Sequence, residues 1–297
     1  PFETSLNGSW RFLFVRGCEV PAGVTEAAFD DSGWDEIRVP GVMQLQGYGT
    51  PYYYAASYPQ AIGTNAKKIP QISHALQEIG VYRRTFTVPE TFAGRETFLC
   101  FGAAKAALQV YINGTEAGYS QGSMLPHEFD VTEYLVPGEN QLTAVVWRYS
   151  DGTYLEDQDM WFFSGIYRDV TLYSLPKVCI RDFYLFAELD ETLENAKLKL
   201  ELSLRSFGGS RRAAVRAEIP ALGLTIGECE AEVGGETKLA LCADAAGFSL
   251  WSHETPNLYT VLLSITNGGE TEYQSFRFGF RRVEIRGNRL FLNNQPL

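Results

Sequence analysis

The chain has little sulfur and little imidazole. Five cysteines, at positions 18, 100, 179, 229 and 242, are spread over 297 residues with no CxxC pair. An odd count at wide spacing argues against a disulfide framework and a thiolate zinc site, and reads as buried free thiols in a reducing compartment. Three histidines, His74, His127 and His253, lie far apart, so neither a histidine metal motif nor a Ser-His-Asp triad is in view. No apolar run approaches the roughly 18 residues of a membrane-spanning helix, and nothing near the start has the composition of a signal peptide. Positive charge is scarce as well: 25 Lys and Arg against 36 Asp and Glu leave a net charge of −11. With no basic cluster to offset it, nucleic acid and anionic membrane are excluded as partners. The expectation is a cytoplasmic protein, while a chain opening on Pro1 leaves a trimmed leader open.

What the chain does have is strand and turn. A length of 297 residues accommodates two domains, each with its own core. Asn113-Gly114, inside VYINGTEAGY, supplies the positive φ angles of a two-residue type I′ hairpin turn. Leu142, Ala144 and Val146 fall on one face of QLTAVVW and Val145 and Trp147 on the other, the pattern of a sheet buried on both sides. The pattern changes near Ser174-Leu175-Pro176. Beyond it Leu198, Leu200, Leu202 and Leu204 alternate with polar residues, as in a strand with one wet face. Gly208-Gly209 and Asn267-Gly268-Gly269 punctuate further short strands, which reads as an immunoglobulin-like sandwich. The fold class expected is all-β. Between Val42 and Glu78 runs a long, tyrosine-rich irregular stretch containing GYGTPYYYAASYPQ, and loops of that length are commonly functional.

Chemistry concentrates in Ser150 to Asp169, SDGTYLEDQDMWFFSGIYRD. Five carboxylates (Asp151, Glu156, Asp157, Asp159, Asp169) are interleaved with Tyr154, Trp161, Phe162, Phe163 and Tyr167. Carboxylates accept hydrogen bonds from sugar hydroxyls, and flat rings pack on the apolar C–H face of a pyranose. In an extended segment Asp157 and Asp159 share one face and Glu156 takes the other. The same composition also fits an acidic loop that closes a sandwich with its aromatics in the core, and composition alone leaves both readings open.

YLEDQDMW followed by SGIYRDV resembles the signature near the end of the first domain of bacterial β-galactosidases of glycoside hydrolase family 2. SGIYRDV is similar to the wider family, glucuronidases included. GYGTP with its following YP pair, LWSHETPNLY, FGFRRVEI and RLFLNNQPL resemble further parts of the family. The resemblance implies a jelly-roll-like sugar-binding domain over residues 1–174, an immunoglobulin-like sandwich over 175–283, and the start of a truncated TIM barrel over 284–297. It implies a parent enzyme that hydrolyses terminal non-reducing β-D-galactose residues of β-galactosides with retention, as a homo-oligomer. Both glutamates of that reaction belong to the barrel, so no catalytic residue is expected in this chain. Asp159 matches the family residue that contacts galactose hydroxyls and ligates a sodium ion. The remaining sodium ligands, and those of a catalytic magnesium, lie on the barrel. The family's sugar-binding Asn in the tyrosine loop stands here at Ala55, whose methyl cannot hydrogen-bond, which puts galactose recognition in question.

Three other readings compete. One is a family member of different sugar specificity. Another is a self-standing carbohydrate-binding module or a two-sandwich scaffold, against which stand the signature and an apolar terminal strand expected to be unpaired. The last is a catalytic pair of Glu156 and Asp159, on a sandwich edge that offers little to exclude water.

Overall fold

The computed structural model describes residues 2–53, 70–156 and 159–297. It divides into two compact units, Pro1–Leu175 and Pro176–Leu297. Among the described residues no helix is long and apolar enough to cross a membrane.

Twelve strands build the first unit: β1 (Glu3–Ser5), β2 (Gly8–Arg16), β3 (Asp35–Val39), β4 (Glu78–Thr87), β5 (Glu96–Phe101), β6 (Ala104–Lys105), β7 (Ala107–Ile112), β8 (Thr115–Gln121), β9 (His127–Asp130), β10 (Glu139–Trp147), β11 (Gly165–Ile166) and β12 (Val170–Leu175). They form a six-stranded sheet in the order β3-β2-β4-β10-β7-β8, a four-stranded sheet β1-β12-β5-β9, and a short β11-β6 pair. Every pairing is antiparallel. This is the expected jelly-roll-like sandwich.

Its central strand β10 shows the two-sided burial read from its pattern. Leu142, Ala144 and Val146 join Trp10, Phe12, Tyr82, Leu99 and Phe101 in the core between the sheets. Val145 faces the opposite way, into a second apolar layer with Val24, Ile79 and Val81, against which Phe29, Trp34 and Trp147 pack. That outer layer is a non-strand segment held down by Arg83 of β4. Its guanidinium donates to the carbonyls of Val24 (2.8 Å) and Glu26 (3.0 Å), to the Thr143 hydroxyl (3.1 Å) and to the Asp31 carboxylate (2.8 Å). A buried charge is tolerable because every direction in which it donates is answered. The β7–β8 hairpin closes through Asn113 (φ 52°) and Gly114 (φ 87°), with Ile112 opposite Thr115, as the Asn-Gly pair requires.

The second unit is an immunoglobulin-like sandwich of β13 (Val178–Leu189), β14 (Asn195–Ser206), β15 (Arg211–Ile219), β16 (Leu224–Val233), β17 (Thr237–Ala246), β18 (Tyr259–Asn267) and β19 (Glu270–Phe278). A three-stranded sheet β13-β14-β17 faces a four-stranded sheet β16-β15-β18-β19. Leu198, Leu200, Leu202 and Leu204 all point into its core, as their alternation dictates. Three further strands, β20 (Val283–Arg286), β21 (Arg289–Leu292) and β22 (Gln295–Pro296), make a small separate sheet.

Two expectations are corrected here. The apolar terminal strand is not unpaired: β21 pairs with β20 on one side and with β22 on the other, across a turn through Asn293 and Asn294, both at positive φ. The cysteines are free, but only Cys179 is buried; Cys18, Cys100 and Cys229 are half-buried and Cys242 is exposed. Cys242 sits on the wet face of β17, where a small side chain is tolerated with no packing demand.

Candidate functional site

The Ser150–Asp169 stretch leaves strand β10 and does not run extended. It first makes a single helical turn, α1 (Thr153–Glu156), started by Ser150 and Thr153: the Ser150 amide donates to the Thr153 hydroxyl at 3.0 Å. The turn breaks the expected alternation and aims Glu156 at the neighbouring 122–124 loop. Both Glu156 oxygens accept from Ser123, one from its amide at 3.0 Å and the other from its hydroxyl. Glu156 is therefore a loop fastener.

The remaining carboxylates separate in the same way. Asp151 accepts from the Gln121 amide at 2.8 Å. Asp169 accepts from the Asn7 side-chain amide at 2.9 Å, while the Asn7 Oδ1 accepts from the Val170 amide, joining the start of β12 to the chain between β1 and β2. Asp157 lies outside the described residues, as does Ala55, the position of the family Asn. What remains is Asp159, exposed on a bend, with the Tyr53 hydroxyl donating to its Oδ1. That contact to a carboxylate pushes the Tyr53 phenol pKa up from its ordinary value. Asp159 makes no ion pair among the described residues.

The aromatics sort by exposure. Phe162 is buried in the sandwich, while Trp161 is 51% and Tyr53 48% exposed. Trp161 stacks on Phe163 (ring centroids 5.7 Å apart, planes within 5°) and meets Tyr53 at 5.7 Å. An exposed carboxylate bonded by the hydroxyl of an exposed tyrosine, whose ring meets an exposed tryptophan, offers both an acceptor and flat faces, whereas Asp151, Glu156 and Asp169 are engaged within the fold.

The frame beneath the site was not singled out from the sequence. Arg148, one residue past β10 and only 2% exposed, donates to the carbonyls of Thr50 (2.7 Å) and Phe162 (2.8 Å) and pairs with the Glu78 carboxylate. Its guanidinium also lies 5.2 Å from the Tyr52 ring and 5.3 Å from that of Tyr149. It ties residues 50–53 to residues 161–163, which then exchange backbone contacts: the Phe162 amide donates to the Tyr52 carbonyl at 2.8 Å, and Tyr53 and Trp161 form an antiparallel bridge. Gln77 and Gln44 act similarly, Gln77 clasping the Tyr149 backbone at both ends and Gln44 the Ser164 amide. The one available signal was a charged residue at the end of an otherwise apolar strand.

Behind α1, His127 is 5% exposed. Its Nδ1 bonds the Ser120 hydroxyl, and its Nε2 has no partner among the described residues. Burial lowers its pKa; the nearby Glu156 charge opposes that in part.

As for metals, no group of three or more His, Cys, Asp or Glu side chains converges among the described residues. Asp159 fits a hard cation as a single oxygen donor, so sodium held there takes its other ligands from elsewhere. No set of residues suited to magnesium is present among those described.

Comparison with known proteins agrees with the resemblance. The family model described as "Glycosyl hydrolases family 2, sugar binding domain" matches residues 3–176, and "Glycosyl hydrolases family 2" matches residues 178–281. A β-galactosidase of Vibrio cholerae is 39% identical over 99% of this chain and 29% of its own length. One from Clostridium acetobutylicum is 35% identical over 96% of this chain and 32% of its own. The chain thus spans about a third of the length of these relatives. Among solved structures, a Bacteroides uniformis β-glucuronidase superposes with TM-score 0.76 at 22% identity, covering 99% of this chain and 34% of that one. At that identity the likeness speaks for the fold alone. With its first sandwich matched throughout by the sugar-binding model and its second by the companion model, the chain belongs to glycosyl hydrolase family 2.

Proposed function

We propose that these residues are the sugar-facing, non-catalytic part of a longer β-galactosidase that removes terminal non-reducing β-D-galactose residues from β-galactosides with retention. The observation that carries the reading is Asp159, an exposed carboxylate bonded by the hydroxyl of Tyr53, whose ring meets that of Trp161. The other Asp159 oxygen, without a partner among the described residues, accepts a hydrogen bond from a sugar hydroxyl and contributes one ligand to a sodium ion. That ion, when bound, supplies positive charge to orient sugar oxygens. Retention needs two carboxyl groups roughly 5–5.5 Å apart, one of them with a raised pKa. Glu156 is engaged by Ser123 and Asp159 by Tyr53, so neither is offered as an acid or a nucleophile. Both glutamates of the reaction, and the magnesium ligands, are assigned to a barrel outside these residues, of which 284–297 is the entry. The whole enzyme is placed in the cytoplasm as a homo-oligomer. Relatives named β-galactosidase at 35–39% identity support this reading.

Ala55 favours a second reading, a family member acting on another sugar. An anionic glucuronide is the poorer choice for a site whose exposed acceptor is the Asp159 carboxylate, because like charges repel.

The test is Asp159→Asn in the full-length protein, with and without sodium, on chromogenic β-galactoside and β-glucuronide. A lost charged hydrogen bond of ~1.5–3 kcal/mol lowers kcat/KM about ten- to a hundredfold and blunts the sodium response at unchanged melting temperature. Unchanged kinetics with a lowered melting temperature would leave Asp159 structural. Residues 1–297 alone are expected to turn over neither substrate.

A further inference from the structure

We propose that Tyr53 is a positioning residue: its hydroxyl holds the Asp159 carboxylate in one orientation and leaves a single oxygen, Oδ2, to meet the sugar. This rests on the reading of Asp159 as a sugar-facing acceptor.

The two partners are anchored very differently. Tyr53 belongs to a segment fixed from below. Arg148 holds the Thr50 carbonyl, the Phe162 amide holds the Tyr52 carbonyl, and Tyr53 itself is bridged to Trp161. Its ring rests on Trp161, which is stacked in turn on Phe163. Asp159 lies on an exposed bend, and the Tyr53 hydroxyl is its one side-chain partner among the described residues. A two-carbon acidic side chain on such a bend samples several rotamers unless something selects one. The donor that selects it comes from the rigid side, through a charge-assisted bond.

The consequence is directional. A free carboxylate accepts at two oxygens in several geometries, whereas one with Oδ1 occupied presents Oδ2 alone at a set angle. The phenol thus converts a mobile charge into an oriented acceptor without touching the sugar. Orientation of this kind acts mainly on how well substrate is held.

The experiment is a double-mutant cycle in the full-length protein, using Tyr53→Phe, Asp159→Asn and both together, on whichever chromogenic glycoside the unmodified enzyme accepts. Phe keeps the ring on Trp161 and removes only the hydroxyl. Tyr53→Phe is expected to lower kcat/KM about five- to tenfold, mostly through KM, with unchanged melting temperature. In the Asp159→Asn background the same change should matter less than about twofold, because the group it positions has gone. Wild-type kcat/KM in Tyr53→Phe overturns the inference and leaves the proposed function standing. An undiminished effect in the Asp159→Asn background also overturns it, since Tyr53 would then act on the substrate directly. If the enzyme accepts a glucuronide and refuses the galactoside, the β-galactosidase reading falls, and the cycle run on the glucuronide still decides the role of Tyr53.

Discussion

The two sandwiches are alike in class and opposite in what they bury. Among the described residues, the first unit holds fourteen buried polar or charged side chains, including Arg83, Arg148, Gln44, Gln77, His127 and Asn140; the second holds only Ser206. The core of the second unit is aliphatic, with Phe280 at one end. Its ion pairs, such as Arg216 with Glu218 and Glu228, lie on the surface, where they contribute little. In the first unit the buried polar groups are aimed at irregular backbone: Arg83 at residues 24–31, Arg148 at 50 and 162, Gln77 at 149, Gln44 at 164. Alternation suffices to hold the second sandwich together, whereas the first also fixes long irregular segments, and its interior donors do that.

Removing one of the deepest of these donors should separate the two units most clearly. Arg148→Met leaves Glu78 and two carbonyls without their partner. Breaking a buried pair costs 3–5 kcal/mol; with the Glu78 side chain 15% exposed, about 3–4 kcal/mol is expected for the first unit. Denaturant unfolding should show it, together with loss of kcat/KM in the full-length protein. Leu200→Ala is the counterpart in the second unit. A cavity in an aliphatic core should cost about 3 kcal/mol, yet kcat/KM should stay within about twofold, since Leu200 packs only within the core of its own unit. A comparable loss of activity there would break the distinction. Gly80→Ala sharpens it by geometry: a Cβ at Gly80 would meet Met43 at 2.6 Å and the rings of Phe12 and Tyr82 at 2.8 Å. Overpacking of about 2 kcal/mol follows, read as a lowered unfolding midpoint.

The smallest effect concerns His127. Its folded-state pKa is lowered, so the unfolded chain binds more protons than the folded one below about pH 6.5. The stability that neutral His127 permits is present above that pH and is lost as pH falls toward the depressed folded value. The first unit's midpoint should drop as pH falls below about 6.5, and His127→Gln should flatten the curve. A pH dependence unaltered by His127→Gln would assign it to other groups.

The regular part of this molecule was written locally. Alternation placed Leu198 to Leu204 and Leu142 to Val146, and Asn113-Gly114 set its hairpin, because side-chain period and turn angles depend on adjacent residues alone. The site was legible as composition and not as geometry. Glu156 and Asp159 look interchangeable in EDQD, yet a Ser150–Thr153 contact turns the first inward and leaves the second on a bend. Arg148 could not be read as a clasp, because its partners Thr50, Glu78 and Phe162 are distant in sequence. The terminal strand looked unpaired only because its neighbours, β20 and β22, are too short to announce themselves.

The clasp at Arg148 also bears on how such proteins diversify. It grips Thr50 and Glu78, so both ends of the intervening span are held by one side chain. Closing a loop whose ends are already pinned depends only weakly on its length; doubling it costs about 0.6 kcal/mol. Added length in that span is therefore cheap, while Tyr53 and Gln77 within it, bonded to Asp159 and to the Tyr149 backbone, are not free to change. Relatives should accordingly differ in the length of chain between these two anchors.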